Sequence, residues 1–385
     1  MSLHVFLIAG EPSGDKLGAA LMAGLKTLVP EVRFSGVGGP LMQAEGLTSL
    51  FPMDELSVMG IAEVLPKYRA LRRRIAETAR AVQEAAPDVL VTIDSPDFCL
   101  RVAKIVKANM TQRIVHYVAP SVWAWRPGRA DKMAKVVDEV LCLLPFEPPY
   151  MTRAGMTAHF VGHPVVAEPE ASAEDAAAFR AAHGVSSETP LILALPGSRR
   201  GEVNRLVHRF GVGLRSVLQA HPEARVVVVP ATPVRDMVAG ALRDWPGDPI
   251  LTSGSDPDEK RAAFRAADVA LAASGTVSLE LAAAATPMVI AYDMNWLSRL
   301  LIGRMLRIDT VTLVNLVSET RTIPECLGKN CTSEAIAGAL AGLLSDPKAR
   351  EAQCAAMSDT MSRLGRGGEA PGLRAARAVL QAVAR

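Results

Sequence analysis

The sequence predicts an α/β protein built from two doubly wound domains that face each other. Three observations carry this expectation. Short apolar runs alternate with longer helix-period segments along the chain, the pattern of parallel strands covered by helices. The 385 residues exceed what one hydrophobic core comfortably holds. The two halves also open alike, an apolar run leading into Gly10-Glu11-Pro12-Ser13-Gly14-Asp15 in the first and into Pro196-Gly197-Ser198-Arg199-Arg200 in the second. In such folds ligands bind outside the carboxyl ends of the strands, so the expected site is the crevice where the two sets of strand ends meet.

In chain order, strands are expected at 5–9, 89–93, 113–117, 139–143 and 158–161, with helices near 16–28, 68–85 and 98–109. These make a first domain over 1–165. Residues 166–190 are rich in Ala, Glu, Ser and Pro and lack a long apolar run. They read as a linker with one short helix near 173–183. A second domain over 191–350 has strands at 191–195, 225–229, 268–272 and 288–291. Residues 351–385 form C-terminal helices, and the stretch near 373–384 suits packing on either domain, including a crossing back to the first.

Composition narrows the function classes. Apolar content of 49% with 21% charged residues is ordinary for a globular protein, and a net charge of +2 gives no footing for nucleic-acid binding. Basic residues are unevenly placed, however: Lys67, Arg69, Arg72, Arg73, Arg74 and Arg80 crowd one predicted helix. The five cysteines are scattered without CxxC spacing, which points to a reducing compartment and away from zinc. The N-terminus lacks a basic n-region and reads as a first strand, not a signal peptide. No apolar stretch reaches bilayer length, so the expectation is a soluble or membrane-peripheral protein.

Several groups at predicted strand ends are suited to chemistry. Ala272-Ala273-Ser274-Gly275-Thr276-Val277-Ser278-Leu279-Glu280 runs from a strand into a helix, and small residues there aim backbone N–H groups and the helix dipole at one point, as a phosphate site requires. The same residues also suit an ordinary turn, with Ser274 or Thr276 as N-cap and Glu280 completing a capping box. Leu195-Pro196-Gly197-Ser198-Arg199 opens the second half, where N–H groups and Arg199 suit a pyrophosphate or simply a solvated turn. Ile93-Asp94-Ser95-Pro96-Asp97 ends an apolar strand with two carboxylates three residues apart. Asp94 at the strand tip suits the chemical role and Asp97 the role of helix cap, or else both merely cap and turn. His116 to Arg126 carries two of the four tryptophans one residue apart, suited to a sugar or acyl chain, or to a packing corner. Asn315 is a polar residue within an apolar run, either a strand-end turn former or a ligand contact. Gly10–Asp15 is not GxGxxG, and no acidic residue closes the second strand, which disfavours nicotinamide cofactors.

Taken together, Gly10–Asp15, Val58-Met59-Gly60-Ile61, Ile93–Phe98, Pro120-Ser121-Val122-Trp123-Ala124-Trp125, Leu195–Val203, Ser274–Glu280 and Val314-Asn315-Leu316 resemble the lipid-A-disaccharide synthase family. The tryptophan segment is the most specific of them. Pro12 stands where that family more often carries alanine or threonine, which stiffens the first loop. The resemblance implies a GT-B-type inverting glycosyltransferase of two Rossmann-like domains, the first binding the acceptor and the second the UDP-sugar. It would join UDP-2,3-diacylglucosamine to 2,3-diacylglucosamine 1-phosphate, giving a β-1,6-linked disaccharide and UDP. Asp94 would be the base. Glu11, Ser13, Gly14, Met59, Ser121, Trp123, Arg199, Ser274, Gly275, Thr276, Glu280 and Asn315 would bind substrates, with Glu280 on the ribose and Asn315 lining the donor pocket. No metal or other cofactor is implied. The expected partners are the two acylated substrates and an anionic membrane surface, with a homodimer as the suggested assembly and no nucleic acid. The expected place is cytoplasmic, peripheral on the inner face of the inner membrane. Two alternatives stay open at this point: an enzyme like UDP-N-acetylglucosamine 2-epimerase, and a non-catalytic sugar-nucleotide-binding protein.

Overall fold

A computed structural model describes residues 3–56, 61–294, 305 and 307–385, with the backbone alone over 61–68. The chain divides into two compact units, Met1–Ala167 with Leu364–Arg385, and Glu168–Arg363.

The first unit contains β1 (Leu3–Ala9), α1 (Pro12–Leu28), β2 (Val32–Val37), α2 (Pro40–Ala44), α3 (Ile61–Ala85), β3 (Val89–Ile93), α4 (Pro96–Asn109), β4 (Ile114–Tyr117), α5 (Gly128–Met133), β5 (Glu139–Cys142), α6 (Pro148–Arg153) and β6 (Thr157–Phe160). Its six strands are parallel in the order β2-β1-β3-β4-β5-β6. All residues of β1 and β3 are buried, because helices cover both faces of the sheet. One face packs Leu17, Leu21 and Tyr117 into a core, and the other packs Ile75, Phe98 and Val102. Each such side chain contributes about 1.5–3 kcal/mol on burial.

The second unit contains α7 (Ala173–Ala182), β7 (Leu191–Leu195), α8 (Arg200–Ala220), β8 (Arg225–Val228), α9 (Arg235–Ala241), β9 (Ile250–Leu251), α10 (Pro257–Ala266), β10 (Val269–Ala273), α11 (Val277–Ala283), β11 (Met288–Tyr292), α12 (Leu313–Ser318), β12 (Glu325–Leu327), α13 (Ser333–Ser345) and α14 (Pro347–Arg363). Its sheet is also parallel, in the order β12-β11-β10-β7-β8-β9. The last helix, α15 (Pro371–Val383), belongs to the first unit and packs on α1.

Residues 168–190 are tied into the second unit. Ser172 and Asp175 form a capping box at the start of α7, and Arg180 donates to the Ala266 carbonyl and to the Asp268 carboxylate. The apolar run around Asn315 is the helix α12, not a strand end. The strands β9 and β12, two and three residues long, are too short to leave a period-2 signal in the sequence.

Candidate active site

In the first unit the topological switch point lies between β1 and β3, because β2 lies on one side of β1 and the later strands on the other. Ala9 stands opposite Ile93 there, so the turns that follow the two strands leave the sheet side by side. Their approach is close: a β-carbon at Gly10 would come 2.7 Å from the Ser95 hydroxyl oxygen. Helix α1 opens in this turn with Glu11 as N-cap and Pro12 in the first helical position, where the missing N–H costs nothing. Ser13 is exposed and Gly14 buried, and N–H groups of a first helical turn have no intrahelical acceptor. Asp15 is turned to structure instead. Its buried carboxylate accepts the N–H groups of Gly39 at 2.9 Å, Leu41 at 3.0 Å and Met42 at 3.0 Å, capping α2 from a neighbouring element.

Asp94 and Ser95 both hold left-handed backbone, at φ 50° and 41°. The Asp94 N–H donates to the Tyr117 carbonyl at 2.9 Å, which fixes the strand tip. Burial raises the Asp94 carboxyl above its ordinary value, and hydrogen bonding from the Ser95 backbone opposes the rise. A half-buried carboxylate made more basic in this way is better suited to accept a proton. The capping role expected for Asp97 is corrected: the N-cap of α4 is Ser95, with no side-chain capping bond, and Asp97 is exposed in the first turn. It favours the helix only through the dipole.

The tryptophan segment follows β4, next to β3. Val118 begins it at φ 86°, which is an outlier for a β-branched residue and stores about 1–3 kcal/mol. Ser121 is exposed and its carbonyl accepts the N–H groups of Ala124 and Trp125. Trp123 is half-buried, edge-on to Phe146 with ring centroids 5.1 Å apart, and its indole N–H donates to Glu147 at 3.3 Å. Glu147 also accepts the N–H groups of Leu143 and Leu144. Burial pushes the Glu147 carboxyl up to about 7, and these three donors act against the rise. His116, fully buried beside the Thr92 hydroxyl at 2.8 Å, is pushed down to about 4 by the same cause and is neutral.

In the second unit the switch point lies between β7 and β10. Leu195 stands opposite Ala272, and the two expected phosphate turns follow directly. Gly197 has φ 119°, a conformation glycine adopts without strain. The N–H groups of Ser198 and Arg199 are not open to a phosphate. Both donate to the Glu202 carboxylate, at 3.2 and 3.3 Å, and Arg199 Nη1 also reaches Glu202 at 3.3 Å. The Arg199 side chain is nevertheless 64% exposed. Across the switch point Ser274 is half-buried, while Gly275 and Thr276 are exposed. Thr276 is the N-cap of α11, as one of the two expected residues, but it makes no side-chain capping bond and the capping box with Glu280 does not form. Glu280 forms an ion pair with Lys260 of α10.

Asn315 lies in α12. It is buried, its amide nitrogen donates to Thr310 Oγ1 and the Ile323 carbonyl, and its Oδ1 accepts the Ile323 N–H. Its amide is occupied in holding residues 310–323 together. Glu325 supports the same segment by accepting from the N–H groups of Val311 and Thr312. Met59 lies outside the described residues. Among the described residues, no group of three His, Cys, Asp or Glu side chains is placed to hold a metal ion, and no helix is long and apolar enough to cross a membrane.

Sequence reading missed Glu147 and Glu202. The second was detectable, since Glu three residues after a turn residue is the capping-box spacing. The first was not, because Glu147 and Trp123 are 24 residues apart.

The chain matches the lipid-A-disaccharide synthetase family model over residues 5–370. It is 64% identical over 384 residues to the lipid-A-disaccharide synthase of Ruegeria pomeroyi, covering 98% of this chain and 95% of that protein. It is 46% identical over 383 residues to the synthase of Rhodospirillum centenum, covering 99% of this chain and 95% of the other. Among solved structures, UDP-GlcNAc 2-epimerase from Neisseria meningitidis bound to UDP-GlcNAc superposes with a TM-score of 0.64 over the whole of both chains at 10% identity, a likeness of fold alone.

Proposed function

The chain belongs to the lipid-A-disaccharide synthetase family, and from that premise we propose that it joins UDP-2,3-diacylglucosamine to 2,3-diacylglucosamine 1-phosphate, releasing UDP and forming the β-1,6 bond with inversion. The observation that carries the reading is the family match through residues 5–370, supported by a carboxylate that burial makes more basic at the first switch point and by the exposed Arg199 side chain and the Ser274–Thr276 turn at the second.

Asp94 takes the proton from the acceptor 6-hydroxyl as that oxygen attacks the anomeric carbon and the bond to the diphosphate breaks. General-base help of this kind is worth about 10²–10⁴-fold. Its left-handed backbone and the bond to Tyr117 hold the carboxylate at the strand tip, and its burial makes it a stronger base. Glu11, Ser13, Gly14, Met59, Ser121 and Trp123 are assigned to substrate binding on the family resemblance. Charge that develops on the departing UDP is met by Arg199 and by the N–H groups around Ser274, Gly275 and Thr276, donors fixed in place before the reaction. Glu280 exchanges its Lys260 partner for the ribose hydroxyls. Both substrates carry acyl chains, so the protein works at an anionic bilayer surface on the cytoplasmic side of the inner membrane.

The test is incubation with both lipid precursors, following UDP release and the new disaccharide. UDP release that needs both precursors supports the transferase. Epimerisation of a UDP-sugar with no acceptor present supports the epimerase-like alternative, and binding without turnover supports the non-catalytic one.

A further inference from the structure

We infer that Glu147 is a positioning residue for this reaction, fixing Trp123 and with it the strained segment that borders Asp94. The inference rests on the reading of Asp94 as base. Asp94 is bonded through its N–H to the Tyr117 carbonyl, and the next residue, Val118, donates to the Leu141 carbonyl at 3.0 Å while holding φ 86°. A β-branched residue keeps such a conformation only where its surroundings over-determine it. β4 supplies one end of that constraint. The other end is Trp123, held edge-on by Phe146 and bonded to Glu147. Glu147 in turn is bonded to the N–H groups of Leu143 and Leu144, just beyond β5. The ends of β3, β4 and β5 are thereby joined into one closed set of contacts, with Asp94 at one end and Glu147 at the other. Three donors converge on its two oxygens, and the residue is 4% exposed. It holds the segment without meeting a substrate.

The test is a double-mutant cycle on full-length enzyme. Glu147→Gln keeps the shape but turns an amide NH₂ toward one of the three donors. Trp123→Phe keeps a ring against Phe146 and removes the N–H. Each should lower kcat by about 10- to 100-fold, the scale of a misplaced reacting group, with UDP affinity unchanged. The double variant should lose no more than either single one. Losses that multiply in the double variant, or wild-type kcat in Trp123→Phe, overturn the inference. Trp123→Phe keeps the test decisive even where Glu147→Gln folds poorly. Asp94→Asn, run alongside, separates the two claims: normal turnover there removes the base, while coupling between Glu147 and Trp123 is read from their own cycle.

Discussion

Gly197 and Ala273 meet at the ends of β7 and β10, where a β-carbon on the glycine would stand 3.7 Å from the alanine methyl. The two turns that follow are therefore neighbours at one switch point, and Arg199 emerges from one of them. Arg199→Ala should weaken UDP binding by about 1.5–3 kcal/mol, the range for a hydrogen bond to a charged group, with the lower end favoured because the side chain is largely exposed. Calorimetric titration with UDP checks this, and an unchanged affinity removes Arg199 from the donor site.

Glu280 tests the nucleoside end of the same ligand. Its ion pair with Lys260 must open for the carboxylate to meet a ribose. Glu280→Ala should weaken UDP while leaving free pyrophosphate nearly unaffected, and Lys260→Ala should not weaken UDP. Equal losses for UDP and pyrophosphate in Glu280→Ala would make the residue a purely structural partner of Lys260.

Much of this arrangement was legible in the sequence, and the reasons are physical. Strands buried on both faces must be continuously apolar, so Val89–Ile93 and Leu191–Leu195 stand out at their true bounds. Asp94 and Arg199 follow such runs, and position after a strand is itself a functional signal in this fold class. Partners distant in sequence were illegible. Nothing in the residues around Asp15 announces a bond to Gly39, and nothing around Trp123 announces Glu147. Asn315 shows the same limit: a polar residue in an apolar run signals a buried polar contact without naming its partner, here Ile323.

Asp94→Asn keeps the side-chain shape and removes proton acceptance. Turnover should fall by roughly two to four orders of magnitude, with UDP affinity nearly unchanged because the turns proposed to bind UDP lie in the other unit. Steady-state rates with both lipid substrates check it. Near-normal turnover would exclude Asp94 as base and direct attention to the exposed Asp97.

Glu147 also leaves a signature in stability. Its carboxyl is raised to about 7, above its value in an unfolded chain, so between about pH 4.5 and 7 the folded state binds more protons than the unfolded one. The contribution is therefore fully present below pH 4.5 and is lost as pH rises through 7, amounting at most to about 3 kcal/mol. His116 acts oppositely: lowered to about 4, it makes the fold lose stability as pH falls below about 6.5. Comparing Glu147→Gln with wild type cancels the histidine. Relative to wild type, the variant should be more stable at pH 8 than it is at pH 5, as read from denaturation midpoints. A difference independent of pH would place the Glu147 titration outside this range.

The basic helix α3 gives the last prediction, and the structure changes its form. Arg69, Arg72 and Arg73 are exposed, but Arg74 is committed within the fold. It forms a bidentate pair with Glu55 at 2.7 and 2.8 Å, bonds Glu77 at 2.8 Å, and lies 4.3 Å from the Phe51 ring centre. Reversing Arg74 would place a carboxylate beside Glu55 and Glu77 and report on folding, not on membranes. Lys67, Val58, Met59, Ile61, Val64 and Leu65 lie outside the described side chains. The clean test is reversal of Arg69, Arg72 and Arg73 to Glu. At about 1 kcal/mol per basic residue near an anionic surface, loss of three should cost about 3 kcal/mol of vesicle binding. The remaining affinity should also depend less on salt, since fewer charges are left to screen. Sedimentation with anionic vesicles at two salt concentrations measures both effects. A triple variant that sediments as wild type does, with the same salt dependence, would show that this face of α3 does not meet the bilayer.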